Sequence, residues 1–488
     1  MCYSKKKKGN TYGLRTIDVK EENMKNFNEL LKEYIDTQGV AIYQISKQTD
    51  INRTFIQNVI AGKKKFPQKR LGDLLNSVFF TSEQIKNSCD AYFIEKYDEK
   101  KPEFFNFCNY CFSKKFEEDM CKEYETGTLV LDSDVMFLDC KEKILATINT
   151  AVSADGSEIF ISNFNFDKKE INSIIYNACK NKKFKEFYHY TKYTDDEIEN
   201  ANIIFNSLHY ARHDCLTYIS SYNHFNLMFP EFVMCGDIIV MFDENVKNGS
   251  VIKNKELAEH IIKQNKKMKQ NAKTDVTVYH NAFEYMQYLD IISNKKVNPE
   301  ITALDNHMCA IGFNKEIIED IATEQIKSAA QVYQQLVSHY DLLLDQSDSN
   351  IKRWIISYEG LIDFVNTGRL YDFPKGYAKN LKPEHRAVIL NYFLNREHKT
   401  YLTNPEYGHF DELAYNIEVY QNQVIFTHMN DSDSIPDFGI QTIYQTEDTK
   451  LIESFNNYLE YLTISEKTYS PDYSRKFIQS QIDILNAE

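Results

Sequence analysis

Few residues in this chain combine types and spacings that could do chemistry. Cys108-Asn109-Tyr110-Cys111 is a C-x-x-C pair, with Cys121 and Cys140 further on. A zinc site needs a second ligand pair at suitable spacing, and none is clear. The pair sits among Phe104, Phe105, Phe107 and Phe112, the surroundings of core cysteines. His209 and His213 stand four apart beside Asp214 and share a face if helical. The hydrolytic zinc motif places Glu directly after its first His, and here that residue is Tyr210. His189, in FYHYTKY, is flanked by aromatic residues and reads as packed or superficial. The glycine-rich phosphate loops and the nucleophile elbow are absent. These readings lead to an expectation of no catalytic residue, no metal and no cofactor: a protein that is not an enzyme.

A different chemistry is offered by Asn52 to Arg70, which carries six basic side chains and no acidic one. The whole chain has a formal charge of −14, but the charge is divided. Residues 1–80 hold 15 Lys/Arg against 8 Asp/Glu, and the remainder holds 42 against 63. A basic module on an acidic body marks a local site for a polyanion.

Helical spacing surrounds that segment. Phe27, Leu30, Leu31, Tyr34 and Ile35 form one apolar face, and Gly39 stops it. A short second helix covers about Ile42 to Gln48, and Asp50 suits the left-handed backbone of a tight turn. Asn52 is the expected N-cap of a third helix that ends at Gly62. Its Phe55, Ile56, Val59 and Ile60 face inward, which leaves Arg53, Thr54, Gln57 and Asn58 outward. A fourth helix follows Pro67, and Thr81 with Gln84 has capping-box spacing for a fifth. Two short helices, a tight turn and a basic loop suit a helix-turn-helix that reads a major groove.

The stretch from about Phe27 to Phe80 resembles the Cro/C1-type (XRE) helix-turn-helix family. The resemblance is carried by Ile45-Ser46, Ile51, Asn52-Arg53-Thr54, Ile56, Val59, Gly62-Lys63-Lys64-Lys65 and Pro67. It implies a five-helix DNA-binding domain, commonly dimeric on palindromic sites. Arg53, Thr54 and Asn58 are then the expected base readers. Gln57, Lys63, Lys64, Lys65, Lys69 and Arg70 are the expected phosphate contacts.

The rest of the chain alternates strand and helix patterns. Thr128 to Leu138, SADGSEIFIS with an Asp155-Gly156 hairpin turn, GDIIVMF, DVTVYH and IEVYQNQVIFTHM read as strands. Ala322, Ile326, Ala329, Tyr333, Leu336, Tyr340 and Leu343 follow a coiled-coil spacing. No internal repeat of fixed period is visible. The expected fold is therefore multidomain: an all-α five-helix helix-turn-helix domain followed by a large α/β or α+β body. In order, these are a flexible basic arm at 1–22, the DNA-binding domain at 23–97, an α/β sensor domain at 101–300, a long dimerisation helix at 301–345, and a C-terminal α+β domain at 350–488. No run of about 18 apolar residues suggests a membrane span, and scattered cysteines without a secretory signal suit a reducing cytoplasm. The function that follows is a cytoplasmic, nucleoid-associated transcriptional regulator. It binds double-stranded DNA as a homodimer and answers an unknown small-molecule or peptide signal. The alternative is an enzyme or defence effector that its helix-turn-helix module docks or autoregulates.

Overall fold

A computed structural model describes residues 25–487 except 68–69, 76–80, 98–99, 112–113, 125, 154–157, 182–183, 192–193, 212–215, 222–230, 270–275, 280–300, 307, 309–313, 332, 335–336, 339–350, 371–377, 396–398, 407–414 and 430–440. The chain divides into two compact units, Met1–Pro102 and Glu103–Glu488.

The first unit is helical. Helix α1 (Phe27–Gln38) starts with a reciprocal cap: Asn26 Oδ1 accepts from Glu29 N at 3.0 Å, and Glu29 Oε2 accepts from Asn26 N at 3.1 Å. It ends at Gly39, whose φ of 63° is left-handed. Helix α2 (Ile42–Thr49) ends at Asp50 with φ 52°, the turn its short polar side chain tolerates. Helix α3 (Arg53–Ile60) is capped by Asn52 Oδ1, which accepts from Thr54 N and Phe55 N at 2.8 and 3.3 Å. After α4 (Leu71–Leu75), helix α5 (Ser82–Tyr97) opens on reciprocal Thr81–Gln84 bonds of 3.0 and 3.3 Å. Leu31, Ile45, Ile56, Val59, Leu71, Leu74 and Phe93 are fully buried between these helices. Each such side chain contributes roughly 1.5–3 kcal/mol.

Helices α6 (Lys100–Cys111) and α7 (Lys114–Cys121) precede two seven-stranded mixed sheets. The first sheet holds β1 (Val135–Leu138), β2 (Ile159–Asn163), β3 (Glu186–Thr191), β4 (Leu216–Ser221), β5 (Glu231–Cys235), β6 (Ile238–Phe242) and β7 (Gly249–Lys253). Its spatial order is 1-7-6-5-2-3-4. The second holds β8 (Val276–Tyr279), β9 (Ile301–Asp305), β10 (Ile351–Ile356), β11 (Lys399–Leu402), β12 (Tyr415–Val419), β13 (Val424–Met429) and β14 (Gln441–Thr446). Read from β8, its order is 8-14-13-12-9-10-11.

Adding seven to every strand number turns the first order into the second. The pairing repeats too. Strands β2, β3 and β4 are mutually parallel, as are β9, β10 and β11. The fifth strand joins the second antiparallel in each sheet, and an antiparallel meander returns to the first strand. The body is thus one topology used twice. The sheets adjoin where β4 lies beside β8.

Each sheet is covered on both faces, as parallel strands require. In the first, α11 (Lys255–Lys269) covers Ile161, Tyr188, Tyr190, Phe232, Met234 and Ile239. Helices α8 (Lys141–Ser153), α9 (Lys169–Lys180) and α10 (Glu197–Ala211) belong to the opposite face, where Phe187 stacks on Tyr210 of α10 with centroids 5.0 Å apart. The meander demands one glycine: a Cβ on Gly249 would lie 2.5 Å from the Met241 carbonyl oxygen. In the second sheet, Trp354, Ile356 and Leu402 join a core with α12 (Lys315–Ile321), α14 (Tyr358–Thr367), α15 (Pro383–Leu394) and α17 (Pro471–Leu485). Helix α16 (Thr449–Ile464) packs near β9, β12 and β13.

Several sequence expectations are corrected here. The 301–345 region is not one long helix. It begins as β9, Ala322 forms an isolated bridge to Ala378, and Thr323 caps a separate helix, α13 (Glu324–Ser328). Ala329 is non-helical, while Ile326, Tyr333 and Val337 face the second core. The spacing that suggested a coiled coil serves that core; Leu336, Tyr340 and Leu343 lie outside the described residues. A division of the body at 300 and 350 fails as well, because β8 and β9 belong to the second sheet. No hairpin joins the strand at Ile159 to what precedes it: 141–153 is α8, and β2 pairs with β3 and β5. Asp155-Gly156 and the basic arm at 1–22 lie outside the described residues.

Candidate functional site

In open α/β sheets, ligands seat beyond the carboxyl ends of the parallel strands. In the first sheet that edge carries the ends of β2 and β3, the loop from Phe164 to Lys168, and the start of the antiparallel strand β5 at Glu231. Lys168 lies at this edge with its side chain only 6% exposed. Its Nζ is 3.2 Å from Asp167 Oδ1 and 3.1 Å from Glu231 Oε1. Lys168 also occupies the N-cap position of α9, where its side chain makes no capping bond. A cation there has the wrong sign for the helix dipole. Helix stability does not explain this residue; its two carboxylates do.

Glu231 is the less settled partner. Burial pushes its carboxyl above the usual carboxylate range, opposed by the nearby Lys168 ammonium. Its second oxygen, Oε2, is buried and has no hydrogen-bond partner. Across β2, on β3, Thr191 Oγ1 is also buried without a partner. Unpartnered buried polar atoms are uncommon and each calls for an explanation; His189 Nε2 and Thr400 Oγ1 are others among the described residues. Beside Glu231, Asn163 Oδ1 accepts from Phe232 N at 2.7 Å and fixes β5 against β2.

Behind this edge, Ser162 Oγ lies 2.7 Å from His189 Nδ1, across the β2–β3 register. A hydroxyl held by an imidazole is the pairing of nucleophilic catalysis, but neither residue has any exposed surface. Phe164, Phe166 and Phe187 stand 4.8, 4.4 and 6.2 Å from the imidazole centroid. Burial drives the His189 pKa down to about 3, only partly offset by the Phe164 backbone. His189 is therefore a neutral core residue, and Ser162 is its partner.

The residues singled out from the sequence fall elsewhere. Arg53, Thr54 and Gln57 are exposed on α3, and Asn58 is half-buried. Lys63, Lys64 and Lys65 are exposed in the following loop, with Lys64 Nζ 5.8 Å from the Phe55 ring centroid. Lys69 lies outside the described residues. Arg70 turns inward: Nη2 donates to the Thr49 carbonyl at 2.6 Å and Nε pairs with Asp73 at 2.8 Å. That guanidinium ties α2 to α4, and the side chain remains 41% exposed. Cys108 and Cys111 are buried on α6, and burial pushes the Cys111 thiol up. No group of metal ligands occurs among the described residues. His209 is on α10, and His213 and Asp214 lie outside the described residues. Sequence reasoning missed Lys168 and Glu231, which are 63 positions apart; the signal was a lysine at the N-cap position of a helix.

No protein-family model matches the chain, and no curated protein does. Among solved structures, phosphatidylserine synthase of Haemophilus influenzae Rd KW20 aligns over 76% of this chain and 97% of its own, at 9% identity and a TM-score of 0.26. Polyphosphate kinase of Porphyromonas gingivalis aligns over 86% of this chain and 65% of its own, at 10% identity and a TM-score of 0.22. Both neighbours are enzymes, where the sequence led to the expectation of a transcriptional regulator without enzymatic activity. At these TM-scores neither likeness carries a fold or a reaction over to this chain. Among the described residues, no helix is long and apolar enough to cross a membrane.

Proposed function

We propose that the chain is an enzyme that works at the carboxyl edge of its first sheet, with the N-terminal helical unit docking it on double-stranded DNA. The observation that carries the enzymatic reading is Glu231: one oxygen held by Lys168 at 3.1 Å, the other buried and unpartnered. A carboxyl raised by burial is suited to general acid–base work. Oε2 exchanges the proton with a substrate group seated at the edge, and Lys168 stabilises the carboxylate through Oε1. Asp167 balances the lysine charge from the other side.

The docking role rests on the exposed Arg53, Thr54, Gln57, Lys63, Lys64 and Lys65, which follow an α2–turn–α3 arrangement of helix-turn-helix type. This is the use that the resemblance to the Cro/C1-type family suggests, now in the service of an enzyme. Arg53, Thr54 and Asn58 read bases, and the three lysines neutralise phosphates. Cysteines scattered along the sequence without a regular framework suit a cytoplasmic setting.

Turnover of a panel of phosphate esters, carboxylate esters, nucleotides and duplex DNA by wild-type protein, run beside Glu231→Gln, tests the enzymatic reading. Activity in the wild type that is lost in a folded Glu231→Gln supports it. Equal activity in the two proteins would exclude Glu231. Duplex binding measured against salt tests the docking. A Lys63→Ala/Lys64→Ala/Lys65→Ala variant should bind about tenfold or more weakly and show a shallower salt dependence.

A further inference from the structure

The duplicated topology gives each sheet a closing helix, since α11 follows β7 and α16 follows β14. Each lies against its own sheet, but their other sides differ. α16 is packed over by α6: Phe104 meets Phe455 with centroids 5.4 Å apart, and Phe105 stacks on Tyr461 at 4.9 Å. On α11, Lys255, Glu259, Lys263, Lys266 and Lys267 are all exposed and share one stripe at helical spacing. Four of them, with Ile262, line a hollow of about 360 Å³: Glu259, Lys263, Lys266 and Lys267.

The positive charge of that stripe is poorly balanced. Lys255 Nζ lies 4.0 Å from Glu259, and Lys266 Nζ lies 3.8 Å from Glu186. Lys263 and Lys267 form no ion pair among the described residues. His260 to Thr274 holds five lysines and no acidic residue, in a body where Asp and Glu outnumber Lys and Arg by 63 to 42. The helix dipole favours lysines in the last turn, which accounts for Lys266 and Lys267 but not for Lys263, and it opposes Lys255 at the first position. Lys255 and Lys267 are twelve residues apart, about 18 Å along the helix axis. A stripe of that length suits a linear polyanion better than a single phosphate. A membrane surface fits poorly, because the apolar side of α11 is taken up by the sheet: Ala258 is buried there, and Leu257, Ile261 and Ile262 pack against the same core. We propose that this stripe of α11 is a sequence-independent contact for the phosphate backbone of duplex DNA, separate from Lys63, Lys64 and Lys65. The choice of duplex rests on the docking proposed above.

Fluorescence anisotropy of a labelled duplex, titrated with the full chain over a series of salt concentrations, tests it. Wild type is run beside Lys263→Gln/Lys266→Gln/Lys267→Gln and beside Lys63→Ala/Lys64→Ala/Lys65→Ala. The three α11 side chains are exposed, and unchanged thermal melting confirms that the variant folds. The expected result is roughly tenfold weaker binding by the α11 variant, with a salt slope shallower by about two to three. Affinity and slope equal to wild type in the α11 variant would overturn the proposal. A loss confined to the α11 variant, with none in the Lys63–Lys65 variant, would instead overturn the docking and leave α11 as the contact. Vesicles of phosphatidylserine and phosphatidylcholine form the second arm. Vesicle binding lost in the α11 variant while its duplex binding is retained would assign the stripe to a lipid surface and overturn the proposal.

Discussion

The two sheets share strand order, pairing directions and helical cover, yet their carboxyl edges are finished differently. In the second sheet the edge is closed by bonds within the chain. Trp354 Nε1 donates to Asp305 Oδ2 at 2.5 Å, Ser357 N donates to the Asp305 carbonyl at 2.9 Å, and Tyr358 N donates to Thr403 Oγ1 at 2.9 Å. Asn306 N donates to Asn416 Oδ1 at 3.0 Å. In the first sheet, Glu231 Oε2 and Thr191 Oγ1 are left over, and a lysine is buried to serve two carboxylates. Unpartnered buried atoms occur in the second copy as well, Thr400 Oγ1 on β11 among them, so what sets the first edge apart is the buried lysine between two carboxylates. The open edge is where chemistry is to be sought, and the closed one is scaffold.

The comparison breaks first if the second edge is not structural. Trp354 is 2% exposed, meets Phe393 edge-to-face at 5.0 Å and bonds Asp305. Trp354→Ala should cost roughly 3–5 kcal/mol, because it opens a cavity and leaves a buried carboxyl without its donor. Denaturant unfolding would show it as a large fall in midpoint, and a loss below about 1 kcal/mol would mean that this edge is not the scaffold.

At the first edge the expected costs are smaller and asymmetric. Lys168→Met leaves Glu231 and Asp167 without their cation and should destabilise by roughly 2–3 kcal/mol, while Glu231→Gln keeps an acceptor for Lys168 and should cost about 1 kcal/mol or less. Equal losses in the two variants would make the pair a simple structural ion pair and would remove the reason to place a site there.

How much of this was legible in the sequence depended on the range of the interactions involved. Local signals read well: Asn52 caps a helix, Asp50 turns left-handed, and Thr81 with Gln84 closes a capping box, because each is decided within four residues. The strands at Ile238–Phe242 and Val276–Tyr279 were also legible, in GDIIVMF and DVTVYH. The duplication was not. Corresponding strands fall at unequal intervals, since β2 and β3 begin 27 residues apart while β9 and β10 begin 50 apart. A repeat of topology with different loops has no period to detect. The candidate site was hidden for the same reason: Lys168 and Glu231 meet only because β5 returns antiparallel to β2. The histidine that drew notice, His189, owes its aromatic neighbours to the core it fills.

That histidine gives the subtlest test, because its effect is a slope and not a step. With its folded pKa lowered to about 3 by burial and its ordinary value at 6.5, the unfolded chain binds the proton first as pH falls. Stability from this group is therefore complete above pH 6.5 and is lost between 6.5 and 3, at up to about 1.4 kcal/mol per pH unit. Carboxylates add their own acid dependence below about pH 5, so the informative window is pH 6.5 to 5. Ser162→Ala/His189→Phe should unfold with a flatter profile in that window. Removing both polar partners together should also cost less than the sum of Ser162→Ala and His189→Phe, since each single change strands the other atom in an apolar pocket. An unchanged slope in the double variant would mean that His189 is protonated inside the fold. The serine–imidazole pair would then belong with Glu231 on the working side of the sheet and not in its core.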